Sequence, residues 1–353
     1  MKNILFATTA LVATAGFAQA EVTGSGPGTI NITGSAEMGV FGGEAINVDP
    51  FFGFFATGGT TETVPQFHTD IDVTFKMEGT ADNGLTFGAT VDLDEGGAVS
   101  FATQNDADDG GATFFISGGG ATLTMGDTNG AFDEAMREVS YAGGSIQDNQ
   151  EHIAWGGFGN NGLDGFYDGQ IARFDYSFDT VTASISAEID DAGNTDPVWG
   201  LGVRYEGDLS GVALGVGLGY QAVNDDNGYT FFGLPGFSDD LSIIGVSVDA
   251  GFSNGVTTGF TYTVADADGT DANHLGLGVA YEMNAVAVGL NYGRYVLDGD
   301  LYSSGVGIAA SYDLGGGLEA QLGYAHNTIH DDFTTTSGDE SGNTWSLGLA
   351  MSF

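Results

Sequence analysis

The sequence predicts an all-β protein, a sixteen-stranded antiparallel transmembrane β-barrel. Three observations predict it: apolar and small polar residues alternate in segment after segment, the number of such segments is even, and tight turns alternate with long polar connections. The C-terminal segment shows the alternation most clearly, because Trp345, Leu347, Leu349, Met351 and Phe353 are separated by single small residues. A period of two places these large side chains on one face of a strand. A closed sheet in a membrane requires such strands.

Residues 1–20 are predicted to be a signal peptide. Lys2 precedes an apolar run, and Ala18, Gln19 and Ala20 form a cleavage site of the A-x-A type. The apolar run is too short to span a bilayer, and no later stretch approaches the ~20 apolar residues of a membrane helix. Residues 21–353 are therefore expected to form one exported barrel domain. The chain has no cysteine, so disulfides do not stabilise it.

The first predicted hairpin joins two alternating segments, 71–77 and 85–93. Asn83 and Gly84 lie between them, and Asn-Gly between alternating runs is the strongest short hairpin signal. The other predicted strands are 30–41, 112–117, 121–125, 171–178, 181–189, 201–205, 212–222, 244–252, 256–264, 275–281, 286–292, 306–312, 318–324 and the C-terminal segment. An even number allows an antiparallel barrel to close with both termini on the same side.

The connections between the segments differ in length from one end of the barrel to the other. The tight ones are 81–84, 118–120, 208–211, 253–255 and 315–317, and the long, mostly polar ones are 42–65, 96–111, 223–239 and 328–342. Short turns on the periplasmic side and long loops on the outer side are typical of outer-membrane barrels. The sequence therefore favours a cell outer-membrane location.

The charge is strongly acidic, with 48 Asp and Glu against six Lys and Arg and a net charge of −42. This excludes nucleic acid as a partner and favours cations. A solubilising acidic shell is the alternative interpretation. Among the basic residues, Arg294 falls on the apolar face by strict alternation, so we expect it at the outer rim, where the cost of a lipid-facing charge fades, or after a bulge.

The sequence resembles the general diffusion porins of alphaproteobacteria, of the Rhodobacter type. The resemblance covers nearly the whole mature chain and depends on residues 34–40 (GSAEMGV), 77–80 (MEGT), 83–88 (NGLTFG), 125–133 (MGDTNGAFD), 310–317 (ASYDLGGG) and Phe353. It implies a homotrimer of water-filled barrels in which the third outer loop, about 127–169, folds into the lumen and narrows it.

The resemblance also identifies candidate constriction residues. On the loop these are Asp133, Glu134 and Arg137, and a short helix over 131–139 would place both acids in its first turn, where the helix dipole favours carboxylates. Acids that only cap their own helix are the alternative. On the wall, strand alternation directs Arg173, Arg204 and Lys76 inward, with Lys76 near the periplasmic turn, and it also directs Glu37, Asp70 and Asp72 inward where related porins have arginines.

These inward acids predict a cation-preferring channel for small hydrophilic solutes and ions. The Debye length is about 8 Å at 0.15 M salt, comparable to the half-width of such a constriction, so passing ions feel lumen carboxylates. A saccharide-specific binding channel and a surface adhesin are the alternatives. The first would need an aromatic track or a basic ladder in the lumen.

Acidic outer loops suggest one further ligand, Ca²⁺. Asp266, Asp268 and Asp271 have the oxygen spacing of part of a calcium loop but lack its final glutamate, and solvated acid is the favoured interpretation. Divalent ions could still link these loops to lipopolysaccharide in the outer-membrane lipid. No other cofactor is expected. No enzyme activity is expected either, since the five histidines are scattered and no G-x-S-x-G motif occurs.

Overall fold

A computed structural model of the chain describes residues 20–22, 28–48, 56–97, 111–139, 141, 146, 157–167, 170–190, 196–224, 240–267, 270–330 and 338–353. These residues form one antiparallel sheet, a short helix α1 (Ala131–Ala135) and a 3₁₀ turn (Gly157–Gly159). The strands are β1 (Ala20–Val22), β2 (Thr29–Val48), β3 (Ala56–Thr80), β4 (Thr86–Gly97), β5 (Ala112–Gly118), β6 (Ala121–Asp127), β7 (Gln170–Phe178), β8 (Val181–Glu188), β9 (Val198–Leu209), β10 (Val212–Val223), β11 (Leu241–Phe252), β12 (Val256–Ala267), β13 (Thr270–Met283), β14 (Val286–Leu297), β15 (Asp300–Gly315), β16 (Leu318–Ile329) and β17 (Glu340–Ser352).

The sixteen strands β2 to β17 close into a barrel, which confirms the predicted fold class. Each strand pairs with the next, and β17 returns to β2 in a register that runs from Asn343 opposite Glu44 to Ser352 opposite Ser35. Closure gives each strand two partners, so that backbone polar groups are satisfied without water. The short strand β1 pairs with the start of β2. Residues 1–19 lie outside the described residues, and the predicted signal peptide stays a prediction.

The two faces of the sheet differ as the alternation predicts. On β17, Leu347 is 51% exposed on the outer face, whereas its neighbour Ser346 is fully buried on the inner face. Large apolar side chains project outward on every long strand of the barrel. The buried apolar cluster lies inside the barrel instead, where Phe132, Met136 and Phe158 of the β6–β7 connection pack against the inner wall.

Tight turns join the strands at one end of the barrel. In the turn after β3, the Ala81 N–H donates to the Leu85 carbonyl at 2.8 Å and the Leu85 N–H donates to Asn83 Oδ1 at 3.2 Å. Gly84 has a φ of +83°, which glycine adopts without strain. The Asn-Gly signal in the sequence therefore corresponds to a real hairpin.

The predicted loop 42–65 is mostly strand. β2 continues to Val48 and β3 begins at Ala56, and the two pair through register shifts at Phe41/Gly43 and Ile46/Val48. This part of the hairpin extends past the outer end of β17, which is at Glu340. Its side chains do not face the hydrocarbon of the membrane there, so apolar and polar residues need not alternate. Its strands consequently lack the pattern by which the others are recognised.

The predicted helix over 131–139 is shorter in the structure. α1 ends at Ala135, because Met136 adopts an extended conformation with ψ 169°. Asp133 and Glu134 lie in its first turn, as predicted. After the helix, Val139 and Tyr141 lie against Gly276 and Gly278 of the inner wall. No helix in the described part of the chain is long and apolar enough to cross a membrane.

Candidate functional site

The described parts of the connection between β6 and β7 lie inside the barrel and form the candidate site. Within it, α1 packs against β8, β9 and β10. Ile146 lies on the far side of the lumen, where it contacts Gly39 of β2 and Gly348 of β17. The returning part places Phe158 against Tyr295 of β14, with ring centroids 5.3 Å apart. The connection therefore follows the inner wall and narrows the lumen.

Glycines on the inner wall allow this close approach. A Cβ on Gly217 of β10 would overlap the carbonyl oxygen of Ala135, and one on Gly202 of β9 would overlap that of Ala131. Any larger residue would push α1 away from the sheet. Glycine in the interior of a strand lowers the stability of that strand. Here the glycines are nevertheless required, because they let the loop pack closely against the wall.

Polar contacts fix both ends of the described loop to β10. Gln221, only 2% exposed, donates from Nε2 to Asp164 Oδ1 at 2.5 Å and accepts the Leu163 N–H at 2.7 Å. Asp164 Oδ2 accepts the Gly130 N–H at 2.5 Å. Gln221 and Asp164 thus link the residue before α1 to the returning segment, and the N–H of Ala131 donates to Ser186 Oγ of β8 at 2.8 Å.

The predicted wall cations lie beside the loop and are paired with carboxylates. Arg173 Nη1 lies 3.1 Å from Glu134 Oε2, and its Nε lies 3.0 Å from Asp175 Oδ2. Arg204 Nη2 lies 2.6 Å from Asp249 Oδ1. Both arginine side chains are at most 10% exposed. They face the inside of the barrel and hold loop and wall together.

Arg137 of the loop joins the Arg204 group through a shared carboxylate. Glu206 Oε1 lies 3.3 Å from Arg137 Nη2 and 3.0 Å from Arg204 Nε. Arg137 also donates to the carbonyls of Glu134 and Met136. Burial, and then the nearby Arg204, lower the pKa of Arg137, so that Glu206 offsets two close positive charges.

The predicted acidic wall lies on β2 and β3. Asp72 Oδ2 accepts a hydrogen bond from Ser35 at 2.8 Å, and Glu37 Oε2 lies 3.7 Å from Nε2 of the buried His68. In the register, Glu37 is directly opposite Asp70. Lys76 pairs with Glu78 at 3.2 Å, where both side chains are substantially exposed and close to the Ala81 turn, so it lies apart from the other candidates.

Burial changes the protonation of two loop carboxyls. Desolvation, followed by repulsion from Asp164, Glu138 and Glu134, raises the pKa of Asp133 to about 8. Burial also raises the pKa of Asp164 to about 6, although hydrogen bonds from Gly130 and Gln221 favour its charged form. Asp133 therefore contributes little charge to the lumen at pH 7.

Several functional residues were not predicted from the sequence. Three of them are the lumen acids Asp92, Asp175 and Asp249. Strand alternation places all three on the inward face, so the sequence contained the signal that would have identified them. The roles of Asp164 and Gln221 had no such signal, because a hydrogen bond between a loop and a wall depends on how the loop packs.

The proposed calcium ligands are only partly described. Asp266 and Asp271 are opposite each other in the β12–β13 register, and Asp268 lies outside the described residues. No group of three or more His, Cys, Asp or Glu side chains suited to a metal occurs in the ranges that the structure covers. Calcium at these loops stays a prediction.

Comparison with known proteins gives a consistent result. A family model described as Gram-negative porin matches residues 7–332. Comparison with curated proteins gives no match. Among solved structures, the chain is similar to a porin refined at 1.8 Å resolution, with a TM-score of 0.63, 21% identity and coverage of 92% of this chain and 100% of that one. Two mutants of the Rhodopseudomonas blastica porin have TM-scores of 0.57 and 0.54, each at 16% identity with the same coverage. At these identities the likeness shows the fold.

Proposed function

The chain belongs to the Gram-negative porin family, and we propose that its barrel is a cation-preferring channel for passive diffusion of small hydrophilic solutes and ions. Family and fold together indicate the outer membrane of a Gram-negative cell. The cation preference and the natural solute go beyond what the family establishes. No covalent chemistry is part of this proposal.

The pairing of the lumen cations supports cation preference. Each of Lys76, Arg137, Arg173 and Arg204 has a carboxylate oxygen within 3.3 Å. Their positive charge is thus offset locally. Glu37, Asp70 and Asp72 add three further carboxylates on the opposite wall, on β2 and β3. The net field that a permeating ion meets is negative.

The distances involved are short enough for this field to act. Charges are screened over about 8 Å at 0.15 M salt, and the narrowed lumen keeps an ion within reach of its wall. Part of the lumen is bounded by protein rather than bulk water, so screening there is weaker still. The local excess of carboxylates in the lumen therefore favours permeation of cations over permeation of anions.

Reversal potentials in a KCl gradient test the preference. We expect the wild type to favour K⁺, and the triple variant Glu37→Gln, Asp70→Asn, Asp72→Asn to lose most of that preference. A matched control replaces three exposed carboxylates in or beside the tight turns, Asp82, Asp179 and Asp208, by Asn. An anion-selective wild type, or an equal effect of both triple variants, contradicts the proposal.

Liposome swelling tests whether the barrel is a channel at all. Proteoliposomes containing the purified protein should swell in isotonic solutions of small sugars, at rates that decrease with sugar size. A surface adhesin with a closed lumen would give no swelling. This measurement is independent of ion selectivity.

We also propose that the protein is a homotrimer. The barrel wall is short along the membrane normal at β5 and β6, because these strands have only seven residues each. Seven residues extend roughly 24 Å, and at a tilt of about 40° their height is below the ~25 Å apolar band of a membrane barrel. The exposed side chains of Phe114, Ile116 and Met125 on these strands would then be covered by neighbouring barrels rather than lipid. Native mass spectrometry in detergent should give three copies, and a monomer would contradict this.

A further inference from the structure

Arg294 is the unpaired cation of the described barrel. Its side chain is exposed on the outer face of β14, where alternation continues without interruption from Val288 and Leu290. The register shift in this pair of strands follows it, between Tyr295 and Val296. No hydrogen bond or ion pair joins Arg294 to any residue that the structure describes, whereas Lys76, Arg137, Arg173 and Arg204 all have carboxylate partners.

Two other polar groups lie beside Arg294 on the same face. Ser304 of β15 is directly opposite Arg294 in the register, and its Oγ lies 3.3 Å from Nε2 of His330. Nδ1 of His330 lies 3.3 Å from Asp339 Oδ2, which orients the imidazole. A guanidinium, a hydroxyl and an imidazole therefore lie side by side on the outside of the barrel, at the ends of three successive strands.

Among the described residues, the outward positions directly beside Arg294 on the paired strands are Leu275 of β13 and Ser304 of β15, neither of which is a carboxylate. Further outward positions near the outer ends of β14 to β17 are Val296, His326, Thr328, Ser341 and Asn343. The carboxylates of the region lie at the strand ends, at Asp271 of β13, at Asp298 and Asp300 in the β14–β15 turn, and at Asp339.

The position of Arg294 is that of an interfacial residue. It lies three residues before the end of β14 at Leu297, where a lipid-facing arginine costs about 0–1 kcal/mol rather than the 2–4 kcal/mol of the midplane. Below it, Leu290 and Ile308 are 48% and 46% exposed. A ligand that fits this surface is anionic at its outer end and apolar below.

We propose that Arg294, Ser304 and His330 bind the phosphate group of an anionic lipid in the outer leaflet. Guanidinium binds phosphate through two parallel hydrogen bonds, and the Ser304–His330 pair beside it supplies further polar contacts. The exposed aliphatic side chains below receive the acyl chains. A free phosphate ion would use only the polar half of this surface.

This inference rests on the membrane location of the barrel and is independent of cation preference. Arg294 points away from the lumen, so its replacement should leave single-channel conductance and reversal potential unchanged. A variant that binds no lipid but conducts normally separates failure of the site from failure of the channel.

Lipid binding by the purified full-length protein tests the site. In neutral detergent, native mass spectrometry measures retention of dimyristoyl phosphatidic acid, with dimyristoylglycerol as the lipid that lacks phosphate. We expect Arg294→Gln to weaken phosphatidic acid binding at least tenfold and Arg294→Lys to weaken it less. Lys76→Gln, which removes a lumen cation, is the matched control and should bind like the wild type.

Two further arms identify the source of binding. Inorganic phosphate at millimolar concentration should not displace the lipid, since it lacks acyl chains. EDTA should not release it either, because the contact is direct rather than bridged by divalent ions on the loop acids. Equal binding of dimyristoylglycerol, release by EDTA, displacement by inorganic phosphate, or equal loss in Arg294→Gln and Lys76→Gln would each overturn the proposal.

Discussion

Nη1 of Arg173 on the wall strand β7 lies 3.1 Å from Oε2 of Glu134 in α1. The same nitrogen donates to the carbonyl of Asn129 at 2.6 Å, just before the helix. Nε of the guanidinium contacts Asp175 of its own strand. Arg173 thus connects wall and loop, and its charge is largely neutralised before a permeating ion can reach it.

Replacement of Arg173 should increase cation preference. In Arg173→Gln, Glu134 and Asp175 lose their counter-charge and add to the negative field of the lumen. We expect the K⁺ over Cl⁻ permeability ratio to rise in reversal-potential measurements. Loss of a charged, mostly buried hydrogen bond should also destabilise the docked loop by about 1–3 kcal/mol.

Lys76→Gln is the control for this change. It removes the same formal charge at an exposed pair near the periplasmic turn, where surface ion pairs contribute little. A small effect on selectivity and none on thermal unfolding is expected. Equal shifts in both variants would mean that Arg173 acts only through the total charge.

Gln221 should be needed to hold the loop in place. Gln221→Ala removes the hydrogen bonds to Leu163 and Asp164 and leaves the Asp164 carboxyl without one of its donors. At about 1 kcal/mol for each bond, the loop should open more often. Single-channel recordings should show larger conductance fluctuations, and proteolysis within 127–169 should be faster.

Gln321 of β16 offers a matched comparison. It is also a buried glutamine on the inner wall, but its Nε2 donates to Glu319 of its own strand at 3.0 Å. Gln321→Ala should leave the loop as resistant to protease as in the wild type. If both variants loosen the loop equally, the contact with Asp164 has no special role.

The sequence was sufficient to predict where side chains point but not what they contact. Alternation correctly directed Glu37, Arg173 and Arg204 inward, because register and hydrocarbon fix the face of every residue in a spanning strand. The partners of Arg204 come from its own strand, from β11 and from the loop. Contacts between the wall and the β6–β7 loop depend on how the loop packs. The loop has no periodic sequence pattern, so these contacts could not be predicted from the sequence.

The extension of β2 and β3 shows the same limit. Hydrophobic alternation identifies strands only while one face meets lipid. The β2–β3 hairpin extends past the outer end of β17, where neither face meets lipid. Residues such as Thr60 and Thr63 can therefore form strand pairs without hydrophobic alternation. The helix after Gly130 ended early for a related reason, since contact of Met136 with the wall overrides local helix preference.

Gly217 should tolerate no side chain. A Cβ there would overlap the Ala135 carbonyl oxygen, so Gly217→Val must displace α1 toward the lumen. We expect lower single-channel conductance and a lower thermal midpoint in detergent, since overpacking typically costs 1–3 kcal/mol. Ala183→Val, on the outward face of β8, adds similar volume toward lipid and should leave both unchanged. Normal conductance in Gly217→Val would show that α1 is not seated on this glycine.

Ionisation of Asp133 should make selectivity depend on pH above neutrality. Its pKa rises from 3.8 to about 8, first because the carboxyl is buried and then because Asp164, Glu138 and Glu134 repel its charge. Between about pH 4 and pH 8, the docked loop holds a proton that an undocked loop releases, so docking weakens as pH rises through this window and is constant above it. Asp164, with a pKa of about 6, has largely ionised by pH 7.

The window from pH 7 to pH 9 therefore isolates Asp133 from Asp164. The wild type should become more K⁺-selective across this range as the new carboxylate appears in the lumen. Asp133→Asn should abolish that rise, and its loop should resist protease better than the wild-type loop at pH 9, because it no longer has to bury a charge. Glu134→Gln, the neighbouring acid in the same turn, should lower selectivity at every pH but keep the rise. A rise that persists in Asp133→Asn would assign the titration to another group.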